Sequence, residues 1–539
     1  MRTGKTAAIR VLLLSIAGVA GSAEVTLDAP SSVARFDSAE FVIRLDKSPF
    51  GNPFTEAEVA GEFRLPGNRP IRVSGFADSE DGTLFRLRFS PHVAAATYDY
   101  KLRLRGKGID REFSGKLSST RSAGRAGPVI VDPRNPKHFV YMGSGARFHH
   151  LGYTAYHLLD PSNDDAQVDA TIDYCARMGF NKIRFLLTGY PRDTDRRSPS
   201  EKIEAPGTRK AINYNSRPGQ VNALPAWPGK PHAYDFARFD VDYWRRVERA
   251  IARMRDRGIV ATCIVTIEKQ NLPQEYGALT EEEYRLYKYA VARLAAFDNV
   301  WWDLGNEHNE FRDVEWGNAM GAFIKAIDPY NRLSSAHAYA EFFYPFADWA
   351  DFIVTQHYGD EQAVHEWTLK HGSIPKPYVN EEYGYEGGAD KPGHEQNSDW
   401  VRRCHWSIAM AGGYATYGDW SNGISYFYMG EPGPGKAARE LKHLRRFFEE
   451  LPFPEMHPED GLTTNGFCLA KRPSYYVFYF PRGGTSEIDL AGAVNRKLAA
   501  RWFDPRLGQW RNGPAVKAGK NTVSAPAAGD WVLLVVGEQ

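Results

Sequence analysis

Two short runs concentrate the acid–base chemistry of this chain: Leu304-Gly305-Asn306-Glu307-His308 and Pro377-Tyr378-Val379-Asn380-Glu381-Glu382-Tyr383. Each reads as an apolar strand that stops at carboxylates. Carboxylates presented from the ends of two separate strands suit cleavage of a glycosidic bond. One protonates the departing oxygen, and the other attacks the sugar or activates a water. A separation of about 5–5.5 Å between the two would give a double displacement with retention. Glu307 is expected as the acid/base, kept protonated by a partly apolar setting and by repulsion from its partner. Glu382 is expected as the nucleophile that forms a glycosyl-enzyme. Glu310 rivals Glu307, and Glu381 and Glu386 rival Glu382. Side chains alternate along an extended strand, which sends Glu381 the opposite way from Glu382. Asn306 is placed to bond the sugar hydroxyl next to the reacting carbon. Most Glu residues end up solvated in loops; strand-end placement sets this pair apart.

Other residues fall near the same strand ends. His337, His357 and Tyr358 close two further strands and are expected to bond sugar or to orient Glu382. Trp420 follows the last strand and could stack on a sugar ring, with core packing as the alternative. His149-His150 and His157 lack metal-type spacing, so no metal and no cofactor is expected. The chain shows no zinc motif, nucleophile elbow or nucleotide-binding glycine loop. Cys175, Cys263, Cys404 and Cys468 are dispersed and read as buried thiols.

The elements that must hold these groups form a repeating series. From Tyr153 to Tyr414 apolar strands alternate with amphipathic helices, such as one with Trp244, Val247, Ile251 and Met254 on a single face. Thr280-Glu281-Glu282-Glu283 is a capping box that opens another. Eight strands in this span indicate a (β/α)8 TIM barrel, with ligands at the strands' C-terminal ends. The Pro-rich stretch 188–235 is expected to be a long loop that shapes substrate choice. Period-two alternation on either side of the barrel indicates β-sandwiches, the N-terminal one immunoglobulin-like. The expected boundaries are a signal peptide at 1–23, a sandwich at 24–120, the barrel at 128–451 and a C-terminal sandwich at 452–539. Arg2, Lys5 and Arg10 precede an apolar run that ends at Gly21-Ser22-Ala23, so a cleaved signal and export to periplasm or medium are expected. With 539 residues and a net charge of +1, the chain has no basic block, which argues against nucleic acid or an anionic membrane as partner. No other run is long enough to span a bilayer.

The Asn306-Glu307 pair on the fourth strand, with Glu382 ending the seventh, resembles the clan-A glycoside hydrolases. Arg184 on the second strand stands where that clan often places an Arg beside the nucleophile. More closely, the chain resembles a bacterial group that combines an immunoglobulin-like domain, an apiosidase-like barrel and a small sandwich named for collagen binding. The matching stretches are Gly75-Phe76, Leu151-Gly152-Tyr153-Thr154-Ala155-Tyr156, Leu304-Gly305-Asn306-Glu307, Lys376-Pro377 through Tyr385-Glu386-Gly387, Gly412-Gly413-Tyr414, Trp502-Phe503-Asp504-Pro505-Arg506 and Asp530-Trp531-Val532-Leu533. The resemblance implies an exported retaining glycoside hydrolase that acts on a plant, algal or microbial polysaccharide or its oligosaccharides. Relatives often carry Asp-Glu where this chain has Glu381-Glu382; aligning Tyr385-Glu386-Gly387 puts the nucleophile on Glu382. The alternative is a non-catalytic carbohydrate-binding or adhesion protein with a relict barrel. A protease or collagen-binding role rests on the last domain's label alone.

Overall fold

Eight parallel strands carry the carboxylates: β1 (Gly152–Thr154), β2 (Lys182–Leu186), β3 (Val260–Thr266), β4 (Val300–Gly305), β5 (Ser334–Ser335), β6 (Ile353–Thr355), β7 (Tyr378–Asn380) and β8 (Tyr414–Asp419). The computed structural model describes residues 23–122, 124–161, 163–189, 224–230, 233–266, 277–389, 395–419 and 435–538. Residues 1–22, expected to belong to a signal peptide, most of the 188–235 stretch and Trp420 lie outside the described residues. The strand order is β5-β4-β3-β2-β1-β8-β7-β6. The seam between β5 and β6 is joined by Ser335 Oγ to the Phe352 carbonyl (2.7 Å) and by Asp351 N–H to the Ser334 carbonyl (2.8 Å). The barrel is therefore nearly closed, as the eight-strand pattern predicts. Every residue of β2, β3 and β4 is buried, as strands covered on both faces must be.

Helices cover the outside: α1 (Asp165–Arg177), α2 (Val241–Asp256), α3 (Glu281–Leu294), α4 (Val314–Ile327), α5 (Glu361–His371), α6 (Ser398–Met410) and α7 (Lys436–Glu449). Six of them start on an Asp, Asn or Thr whose side chain accepts a first-turn N–H: Asp164, Asp240, Thr280, Asp313, Asp360 and Asn397. The unit after β5 departs from the pattern. Its connection runs past α4 without a helix, and Tyr344 and Trp349 pack where helix side chains would otherwise sit. A Cβ on Gly317 would come within 1.9 Å of Tyr344, and one on Gly321 within 2.0 Å of Trp349, so both positions need glycine.

The N-terminal domain pairs a four-stranded with a five-stranded sheet around Phe41, Phe63, Leu87 and Leu102. It is fastened to α2 and α3 by buried charge. Arg88 and Arg293 both bond Glu248, and Arg293 also bonds Asp78 at 2.9 Å. The C-terminal domain is built on a six-stranded antiparallel sheet that lies on α6 and α7. Trp406, Phe447 and Phe448 pack with Tyr479 and Phe503 there, and Arg402 reaches Asp530 at 2.7 and 2.9 Å. All four cysteines are buried free thiols. No described helix is long and apolar enough to cross a membrane.

Candidate active site

Past Gly305 the chain leaves β4 through a sharp turn. Glu307 takes a left-handed conformation (φ 48°, ψ 39°), which costs a non-glycine residue about 1 kcal/mol or more. The turn leaves Asn306 buried and Glu307 half-buried, at the start of the short 3-10 turn His308–Glu310. Glu310 is exposed in that turn. His308 is fully buried, bonded to the Tyr344 hydroxyl (3.2 Å) and packed beside Trp316. The acid/base candidate therefore stands on a rigid shoulder.

The Asn306 Oδ1 atom accepts from Arg184 Nη2 (2.5 Å) and lies 2.7 Å from His337 Nδ1 and 3.0 Å from Tyr156 Oη, whose single proton goes to the Glu382 carboxylate. Arg184 Nη2 also abuts His337 Nδ1. Since the guanidinium only donates, Asn306 Oδ1 is its acceptor. Burial and the Arg184 charge hold the His337 ring well below its usual pKa, so it is neutral. With Oδ1 fixed this way, the Asn306 amide keeps its two N–H donors on the side away from Arg184.

Glu382 follows β7. Its Oε1 accepts from Tyr358 Oη (2.6 Å) and Gln356 Nε2 (3.2 Å), and its Oε2 faces Tyr156 Oη at 3.0 Å. The backbone N–H of Glu382 bonds Asn380 Oδ1 at 3.2 Å, which fixes the turn. Burial, Glu382 and, more weakly, Tyr156 and Glu307 hold the Tyr358 phenol well above its usual value, so it remains a donor. Arg184 ties the two halves together. It donates to Tyr156 Oη (2.7 Å) and Asn306, and its Nε rests on Asp303 at 3.2 Å. Burial lifts Asp303 to about 6 even beside that Arg.

The two rival carboxylates point elsewhere. Glu381 turns into the barrel, where it pairs with Lys182 and accepts from Thr416 Oγ1 at 2.5 Å. Burial would raise its pKa, but Lys182 and Arg184 outweigh burial and hold it below the usual range. Glu386 sits beside Asp419 near the start of α7. It accepts from Tyr417 Oη (2.8 Å) and Ala437 N–H (3.0 Å), and burial followed by the Asp419 charge pushes it up to about 7. The folded state therefore binds an extra proton there between about pH 4.5 and 7, and stability drains away as pH rises through that window. Glu386→Gln is expected to be more stable than the parent at pH 8, by about 3 kcal/mol, and indistinguishable from it at pH 4.5. Urea unfolding of both proteins at the two pH values measures this.

Of the residues expected at the site, Asn306, Arg184, His337, Tyr358 and Glu382 form one bonded cluster at the C-terminal ends of the strands, with Glu307 adjoining Asn306. His357 is set apart: its ring stacks on Trp367 of α5, with centroids 4.1 Å apart. Only its carbonyl reaches inward, to Asn380 Nδ2 at 3.1 Å. Tyr156, Gln356 and Asp303 join this cluster although no sequence motif marks them; Tyr156 closes the Leu151–Tyr156 stretch. Among the described residues no group of three or more His, Cys, Asp or Glu is arranged to hold a metal ion. His149 and His150 are buried among Tyr414, Phe448 and Trp301.

Comparison with known proteins agrees with this architecture. The family "Apiosidase-like, catalytic domain" matches residues 134–455. "Putative collagen-binding domain of a collagenase" matches 459–536, and a domain of unknown function, DUF5060, matches 32–105. No curated protein matches the chain. Among solved structures, a "putative glycoside hydrolase" from Bacteroides vulgatus ATCC 8482 is 21% identical with a TM-score of 0.76, over 94% of this chain and 100% of that one. A glycoside hydrolase family 5 structure from the same organism is 19% identical with a TM-score of 0.59, over 76% of this chain and 93% of that one. At these identities the likeness is one of fold.

Proposed function

The chain belongs to the apiosidase-like family of catalytic domains, and we propose that it is a retaining glycoside hydrolase with Glu382 as nucleophile and Glu307 as acid/base. The observation that carries this is Glu382 at the end of β7, gripped on both oxygens by Tyr156, Tyr358 and Gln356, opposite a strand end that presents Asn306-Glu307. In the first step a Glu382 oxygen bonds to the anomeric carbon while the bond to the leaving oxygen breaks. Glu307 gives that oxygen its proton. In the second step Glu307 takes a proton from water, the water oxygen attacks the same carbon, and Glu382 leaves as carboxylate.

The surrounding groups fit these roles. Donors on both Glu382 oxygens suit a carboxylate that must be charged and aimed. The Asn306 N–H groups are free of the Arg184 side and can bond the hydroxyl beside the anomeric carbon, a contact that strengthens in the transition state. Arg184, through Tyr156, keeps both strand ends in one register. The substrate class is a polysaccharide or its oligosaccharides, reached outside the cytoplasm if the N-terminal segment acts as a signal.

Glu307→Gln tests the acid/base role. On glycosides with poor leaving groups kcat/KM is expected to fall about 10^2- to 10^4-fold. With a dinitrophenyl leaving group the first step needs no acid, so the loss should be small and glycosyl-enzyme should accumulate as a burst. Equal loss on both substrate types would assign proton transfer to another residue. Glycan binding without any turnover would favour the non-catalytic alternative.

A further inference from the structure

We infer that the connection from β5 to β6 is a leaving-group platform, on which Tyr339 and Phe343 stack the sugar rings that lie beyond the scissile bond. The inference rests on the hydrolase reading and adds where the substrate chain runs. Tyr339, Phe343 and Phe346 are the only aromatic residues among the exposed large hydrophobics of the described residues, and all fall within eight positions. Phe346 adjoins Ala347, whose carbonyl accepts from Lys376 Nζ (2.7 Å) just ahead of β7, so it lies toward the strand ends remote from the site. Tyr339 is 53% exposed, Phe343 37% and Phe346 83%. Between them Phe342 and Tyr344 are buried, so the segment alternates between rings that anchor it and rings that face out. Exposed aromatic rings clustered in one loop mark a binding surface more often than scattered ones do.

The segment is continuous with the acid/base turn. Asn309, two residues past Glu307, accepts from the Tyr339 N–H at 2.7 Å and donates to the Tyr339 carbonyl at 3.4 Å. The Phe343 ring lies 6.2 Å from that of His308. Tyr339 is also held by a tight turn in which Glu341 N–H bonds its carbonyl (2.9 Å) and Ala340 takes φ 67°. A proton donor must face the oxygen of the leaving group, so the sugars on the Glu307 side of the bond are those that depart. Sugar rings present C–H faces that pack on aromatic faces. The charged residues on this rim are acidic (Glu310 and Glu341, both exposed), and among the described residues the one Lys bonded to the segment, Lys376, meets it at Ala347, beyond the rim. The occupant that fits is therefore a glycan whose leaving-side sugars carry no carboxylate.

The test compares wild type with Tyr339→Ala and with Phe346→Ala, the latter an exposed aromatic of the same segment that lies off the rim. Both exposed-site variants should melt with the parent. Binding is read by affinity electrophoresis on β-1,4-galactan, xyloglucan, galactomannan and polygalacturonate, and turnover on any of these that is cleaved. The matching glycosyl fluoride serves as a control, because its leaving group reaches none of the rim. Tyr339→Ala is expected to weaken retention by a neutral glycan, and kcat/KM on it, about tenfold. Phe346→Ala is expected to leave both within about twofold, and glycosyl fluoride hydrolysis should stay within about twofold in either variant. Polymer binding and turnover unchanged in Tyr339→Ala, an equal loss in Phe346→Ala, equal losses on polymer and fluoride, selective retention of polygalacturonate, or retention of wild type by none of the four would each overturn the inference. If wild type cleaves nothing, the hydrolase reading fails and the retention arm still decides the platform.

Discussion

Glu382→Ala is expected to lower kcat by roughly 10^4-fold while leaving the fold intact. The side chain sits at the rim, and its removal leaves Tyr156, Tyr358 and Gln356 able to bond water in the vacated space. The loss is large because the proposed reaction has no second route to a covalent intermediate. The vacated space also supplies a sharper readout. Azide or formate can enter it and attack from the same face, so either ion should restore part of the rate on an activated glycoside. Azide should leave a glycosyl azide of the anomeric configuration opposite to the substrate's. Steady-state kinetics with and without the ion, with product analysis by NMR, check this. Glu381→Gln should show no such rescue, because its carboxylate is engaged with Lys182 and Thr416 inside the barrel.

The largest stability effect is expected at the other end of that ion pair. Lys182 and Glu381 are both buried in the barrel interior. Taking two charges out of water is costly, and their mutual attraction with the Thr416 hydroxyl offsets much of it. Lys182→Met leaves Glu381 buried with one hydroxyl donor and no neighbouring Lys, and should destabilise the protein by about 3–5 kcal/mol. The pH dependence should change sign as well. In wild type the depressed Glu381 contributes stability above pH 4.5 that is lost as pH falls through its folded pKa. In the variant burial dominates, the folded pKa rises above the unfolded one, and this site loses stability as pH rises. The double variant Lys182→Met/Glu381→Gln should recover most of the loss, since a neutral amide needs no counter-charge. Denaturant unfolding at pH 5 and pH 8 measures all three. A Lys182→Met protein as stable as the parent would mean that the pair is not the buried couple described.

The barrel is legible in sequence because its helices have one apolar face each and six of the seven begin at capping side chains, while most of its strands are predominantly apolar. The exception, the helix-free unit after β5, follows from a run dense in aromatic residues, 339–349, that packs by intercalating Tyr344 and Trp349 against two glycines. No local pattern reveals such an arrangement. The separation of Glu382 from Glu381 follows from period-two alternation. The same rule accounts for His357: Gln356 and Tyr358 share the side of the chain that meets Glu382, so the residue between them faces Trp367. Tyr156 was less legible because it lies beyond the end of β1 and its role depends on Arg184 reaching across from β2. The left-handed turn at Glu307 has no glycine to announce it. It is set by the packing of His308 and by the donors around Asn306.

If Glu382 forms a covalent bond to the sugar, that bond can be trapped and located. An activated glycoside is mixed with Glu307→Gln protein, the reaction is quenched within the burst, and the digest is mapped by mass spectrometry. One added glycosyl mass is expected on the peptide spanning 378–386, located at Glu382. A label at Glu381 or Glu386, or turnover with an inverted product and no adduct at any time point, would contradict it.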